Sequence, residues 1–158
     1  ARNQEFGQLL GEMDDKAELG LKALWRDEKA IFQEILGQNG AIRQLRDSLD
    51  GKPHQATHYQ RVRLGEMVKK SMDQKRATES QGILTPLRQI ATRTVENRLL
   101  ADRMVANAAF LVDRRWEEAF DQAVAKLDQW LGHRMVFKYV GPVPPYNFVN
   151  LTVNWSEL

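Results

Sequence analysis

Residues 104–112, MVANAAFLV, constrain this chain more than any other stretch, because every side chain there except Asn107 is apolar. Such a run reads as an interior strand covered on both faces, so the chain has to supply neighbouring strands and a layer of cover. The neighbours are legible. Over residues 18–25 the odd positions Leu19, Leu21, Ala23 and Trp25 are apolar while Glu18, Gly20 and Lys22 are not, which suggests a strand. Residues 95–100 form a hairpin with 104–112 around Ala101, Asp102 and Arg103, and residues 134–140 return as a further strand.

Helical signals lie between these strands. Phe6, Leu9, Leu10 and Met13 fall at helical spacing, in a short first helix that Gly11 weakens. Asp27 is placed to cap a helix carrying Ile31, Phe32, Ile35 and Leu36, with Gly37 ending it in the left-handed conformation. A second helix over 41–49 presents Ile42, Leu45 and Leu49 before Gly51 interrupts it. Asp113 caps the clearest helix, where Trp116, Ala119, Phe120, Ala123, Val124, Leu127 and Leu131 repeat every three or four residues and Gly132 follows the end. The order is that of a split βαβ plan, an α+β, ferredoxin-like antiparallel sheet with its first and third strands central.

Between the second helix and the hairpin, residues 52–92 are rich in helix formers after Pro53. Apolar residues gather at Tyr59, Val62, Leu64, Met67, Val68 and Met72 and again at Ile83, Leu84, Leu87 and Ile90, whereas residues 73–81 hold only Ala77. This predicts a helical arm whose middle projects into water and which bends between Asp73 and Pro86.

The segment 141–149, GPVPPYNFV, places three prolines within four positions, which hold the backbone in one extended shape. After it Val149, Leu151, Val153 and Trp155 alternate with Asn150, Thr152 and Asn154, an extra final strand. Covering each large side chain of that strand is worth roughly 1.5–3 kcal/mol, so the end of the chain is expected to dock. The whole is expected to be a single α+β domain over 1–158, with the arm at 52–92 and the proline corner and closing strand at 141–158.

Composition excludes several classes. A hydrophobic share of 42% with 28% charged residues is ordinary for a globular protein, and no apolar run reaches the length of a membrane span. There is no cysteine and no leader pattern, so a cytoplasmic location without disulfides is expected. The chain opens at Ala1 without Met, as a segment of a longer protein would, and a preceding domain is one expectation. The net charge of +2 is uneven: residues 52–79 hold seven Lys or Arg against three acids, an excess of four, which leaves −2 for the remainder.

Chemical motifs are sparse. His54 and His58 stand four apart, yet no nearby Cys, Asp or Glu completes a zinc set, so no metal is expected. A nucleophile elbow, a phosphate-binding glycine loop and a paired-carboxylate arrangement are all missing, so neither catalytic residues nor a cofactor are assigned. Glu117 and Glu118 favour the positive end of a helix dipole. The arm's Arg61, Arg63, Lys69, Lys70, Lys75 and Arg76 offer a phosphate-binding reading, but Glu66, Asp73 and Glu79 interrupt them and a solvated helix face is preferred over nucleic-acid binding. Pro142 and Pro145 match PxxP, and a rigid corner is preferred over a docking peptide.

GPVPPYNFV at 141–149, AFLV at 109–112 and the helix with Trp116 and Phe120 together resemble the C-terminal part of the gas vesicle GvpF/GvpL proteins. KAELGLKALW at 16–25 looks like that family's internal strand with its glutamate, and the likeness runs from about Lys16 to Val153. Two departures stand out: family members usually carry an additional N-terminal domain, and many have an aromatic residue where Val143 stands. The resemblance implies a non-enzymatic accessory protein of gas vesicle assembly whose partners are the hydrophobic shell protein and other gas vesicle accessory proteins. Contacts are expected at Pro144, Pro145, Tyr146, Phe148 and Trp155, against the plainer reading that these residues clasp the sheet from within.

Overall fold

A computed structural model describes residues 4, 7, 8, 11 and 14–148. The apolar residues of the expected first helix, and the expected closing strand with Trp155, lie outside the described residues. Four strands, β1 (Lys16–Trp25), β2 (Arg93–Glu96), β3 (Met104–Asp113) and β4 (Met135–Val143), form an antiparallel sheet in the order β2-β3-β1-β4. The first and third strands are central, as the split βαβ plan requires. β3 is buried at eight of its ten positions, so it is covered on both faces.

The helices α1 (Glu28–Gln38), α2 (Gly40–Leu49), α3 (His58–Ile90) and α4 (Glu117–Leu131) supply that cover on one side. Leu19, Leu21 and Trp25 of β1 and Phe110 and Val112 of β3 join Ile31, Ile35, Ile83, Leu84, Leu87, Phe120 and Val124 in the main core. The rings of Phe110 and Phe120 meet at 5.0 Å between centroids, a tilted aromatic pair.

Several local expectations are corrected. Asp27 does cap α1, accepting from the backbone N–H groups of Lys29 and Ala30. The helix runs through Gly37, however, because Asn39 (φ −118°) ends it and at once caps α2 by accepting from Ile42 N–H at 3.2 Å. Asp113 caps a 3-10 turn, Arg114–Trp116, ahead of α4, which leaves Trp116 half exposed and off the buried face. β2 ends at Glu96 because Asn107, the polar exception of β3, ties the next stretch into a loop: its Nδ2 donates to the Arg98 carbonyl at 2.8 Å.

The arm departs most. α3 is one helix of 33 residues, about 50 Å at 1.5 Å per residue, and it continues past Gly82 and Pro86 without a break. Its polar middle does not project into water. Arg76 lies 5.4 Å over the Trp25 ring and donates to the carbonyls of Asp102 and Met104, while Glu79 accepts from Trp25 Nε1 at 2.6 Å. Long polar side chains with satisfied tips cover the sheet where apolar ones were missing.

Candidate partner-binding face

The sheet face turned away from the helices is organised in three rows across β3, β1 and β4. Register places Leu111, Glu18 and Val143 in the first row, Ala109, Gly20 and Val140 in the second, and Asn107, Lys22 and Lys138 in the third.

The first row is covered by the proline corner. β4 continues through Gly141 and Pro142, joined by a cis peptide bond, to Val143, an edge position that tolerates proline's missing N–H. Gly141 has φ +114°, and a Cβ there would fall 2.7 Å from the Glu18 carbonyl oxygen, so only glycine fits. The segment is therefore not one extended piece. After Pro145 it coils into a 3-10 turn, Tyr146–Phe148, because Glu18 captures it: the buried carboxylate accepts from Asn147 N–H at 2.8 Å and from Asn147 Nδ2 at 2.9 Å. Phe148, 4% exposed, then sits on Ala109, Leu111 and Val95, with the Arg93 guanidinium 5.6 Å from its ring.

Apart from Ala109, which Phe148 covers, the second and third rows stay open among the described residues. They floor a groove of about 500 Å³ whose side is formed by Asn97, Arg98 and Leu100 of the loop after β2. Gly20 keeps the floor low, since a Cβ there would lie 2.9 Å from a Val140 methyl. Val140, Val143 and Leu100 are exposed apolar side chains at this groove. Lys22 faces Lys138 directly across the β1–β4 pair.

On the helix side one cluster of charges is matched. Arg134 pairs with Glu34 through both of its η nitrogens and with Glu79 at 2.5 Å, and Lys75 reaches Glu34 at 3.0 Å. The Arg134 guanidinium holds the Glu34 carboxyl down at about 2, partial burial opposing it and Lys75 assisting. Burial, reinforced by the bond from its hydroxyl to Asp121, pushes Tyr139 upward. These groups tie α1, α3, α4 and the ends of β1 and β4 together.

The expected contact residues divide accordingly. Pro144 is exposed, Pro145 half-buried, and Phe148 is consumed by the clasp. Tyr146 lies in the 3-10 turn, and Trp155 lies outside the described residues. His54 sits in a turn before α3 and His58 at its first residue, so the two do not share a helix face. The arm's cations are mostly committed within the chain: Arg61 to Thr57 and the Leu49 and Lys52 carbonyls, Lys69 to Asp73, Lys75 to Glu34, and Arg76 to Asp73. A basic face for a polyanion is not what α3 presents. Sequence reasoning missed Lys22, Lys138 and Gly20; their shared polar phase in β1 and β4 was visible, but their juxtaposition needs the register.

The model of the gas vesicle synthesis protein GvpL/GvpF family matches residues 1–150. This chain belongs to the GvpL/GvpF family. Gas vesicle protein F of Streptomyces sp. (strain CB03234) is 32% identical over 148 residues, covering 94% of this chain and 60% of the relative. The crystal structure of gas vesicle protein GvpF from Anabaena sp. PCC7120 superposes with a TM-score of 0.85 at 22% identity, over 96% of this chain and 61% of that one. GvpF from Microcystis aeruginosa gives 0.77 at 23% identity, over 94% and 60%. At these identities the two structures bear on the fold alone, an α+β architecture with a four-stranded antiparallel sheet, and the chain spans about 60% of the length of the curated relative. It is a gas vesicle-related protein, and among the described residues no helix is long and apolar enough to cross a membrane.

Proposed function

We propose that this chain acts in the cytoplasm as a non-catalytic assembly factor that holds the hydrophobic shell protein, alongside other gas vesicle accessory proteins, while the shell nucleates or grows. The observation that carries the reading is the family match over residues 1–150. Its physical support is the open sheet face, where Val140, Val143 and Leu100 leave apolar surface uncovered next to the rigid proline corner. Direct contact falls to Pro144, Pro145 and Tyr146, with Trp155 of the closing segment in the same set. Phe148 acts from beneath, anchoring the corner.

The absence of chemistry in this role fits the state of the perturbed groups. Glu34, Arg134 and Tyr139 are each held by structural partners on the helix side, away from the groove. Co-expression of the tagged chain with shell protein, followed by pull-down, tests the proposal. Val140→Asp with Val143→Asp, and separately Pro144→Ala with Tyr146→Ala, are expected to reduce capture while far-UV circular dichroism stays unchanged. Full capture by both folded variants overturns the assignment of this face.

A further inference from the structure

We infer that the groove on the open sheet face binds an extended, acidic and aliphatic segment of a partner protein, whose carboxylates seat on Lys22 and Lys138. The first ground is the pairing itself. Lys22 and Lys138 are direct register partners on β1 and β4, both exposed, and like charges facing across an antiparallel pair oppose each other. An anion between them converts that repulsion into two attractions.

The second ground is that no anion of the described residues is available to do so. Lys22, Lys138 and Arg98 form no ion pair among the described residues, which is also true of Arg63 and Lys70 on α3; what sets the two lysines apart is that they face each other across a strand pair. Among the described residues the groove's one carboxylate, Glu18, already has both oxygens bonded to Asn147.

The third ground is the surrounding surface, which selects protein over a bare polyanion. Lys138 and Val140 stand two residues apart on the same face of β4, about 6.6 Å along the strand. Beside them the floor is Gly20 and Ala109, without bulk, and Leu100 adds an aliphatic flank. An extended segment has the same two-residue side-chain repeat, so a carboxylate over the lysine pair brings the next same-side residue over Val140 and Gly20. Glu or Asp followed two residues later by Val, Ile or Leu satisfies both. A phosphate backbone would leave the aliphatic half of the groove unused.

The inference concerns this face whatever the partner's identity, so it is tested apart from shell-protein capture. The probe is a fluorescein-labelled peptide of repeating Glu-Thr-Val-Thr, read by anisotropy at low salt, with its Lys-Thr-Val-Thr counterpart and a single-stranded oligothymidylate of matched charge as comparisons. The acidic peptide is expected to bind, and Lys22→Glu with Lys138→Glu to weaken it by about tenfold or more. The same double variant is expected to gain binding to the lysine peptide, which also reports that it is folded. Arg63→Glu with Lys70→Glu on α3, an equal change of net charge, is expected to leave the acidic peptide bound. Failure of the acidic peptide to bind, equal loss in both double variants, or displacement of the peptide by the oligothymidylate at matched charge would each overturn the inference.

Discussion

Removing the Glu18 carboxylate should release the proline corner without unfolding the sheet. Glu18 is buried on the open face, and its two oxygens accept from Asn147 N–H at 2.8 Å and Asn147 Nδ2 at 2.9 Å. A hydrogen bond to a charged acceptor contributes about 1.5–3 kcal/mol, and the cost of burying the carboxylate offsets part of the pair. Glu18→Gln retains one acceptor for the backbone N–H but loses the charge, so a net loss of about 1–2 kcal/mol is expected. Glu18→Ala removes both bonds, and about 2–3 kcal/mol follows. Because the turn hangs from β4 by this clasp and by Phe148 on Ala109 and Leu111, the loss is local. Amide hydrogen exchange at Asn147 and Phe148 should therefore accelerate by about tenfold in Glu18→Gln, while exchange in β1 and β3 stays near wild type. A double-mutant cycle with Asn147→Ala isolates the side-chain bond, and a coupling of about 1 kcal/mol or more is expected. If the two substitutions add to within about 0.3 kcal/mol, Glu18 does not hold the corner and the reasoning fails.

Three further outcomes follow from the same geometry. Lys138→Glu turns a like-charged cross-strand pair into an opposite one and should raise stability by about 0.2–1 kcal/mol in urea denaturation, where a fall would count against the register argument. Glu34 is held at about 2, below its ordinary 4.5, so the stability it contributes is complete above pH 4.5 and is lost as the pH falls towards 2. Arg134→Gln should flatten that acid limb of the urea midpoint, and an unchanged limb would show that another carboxylate sets it. Phe148→Ala removes the ring covering Ala109, Leu111 and Val95; a cost of about 2–4 kcal/mol is expected in the exchange of the 146–148 turn, with little effect on the main core.

The strands and their order were legible because two-residue alternation in β1 and the nearly unbroken apolar run of β3 leave few other packings. The cap at Asp27 was legible for a local reason, a side-chain oxygen within reach of the N–H groups that follow it, whereas Asp113 caps a 3-10 turn and not the helix expected of it. What failed had its cause elsewhere in the chain. Residues 73–81 of α3 were read as solvated because they lack apolar side chains, and their partners, Trp25, Met104 and Arg134, lie far away in sequence. Gly37 was read as a terminator because Asn39 was not credited with closing one helix and opening the next. The open face was half legible. Phe148 and Glu18 stood in motifs that drew attention, whereas Lys22 and Lys138 became a pair only when the β1–β4 register was known.

The two faces of the sheet treat charge in opposite ways, and that contrast bears on function. Towards the helices, Lys75 and Arg134 meet Glu34, Arg134 also meets Glu79, Arg76 meets Asp73, and even Trp25 Nε1 has an acceptor. Towards solvent, two lysines are set against each other beside a glycine floor and exposed valines. Exposed positions are the easiest to change, and a carboxylate at either 22 or 138 would relieve the repulsion at no cost to packing. A chain tuned only for stability would carry one. That the charges packed between sheet and helices are paired while the two facing lysines are left cationic is what a fold looks like when its stability is secured on one face and its binding free energy is kept in reserve on the other.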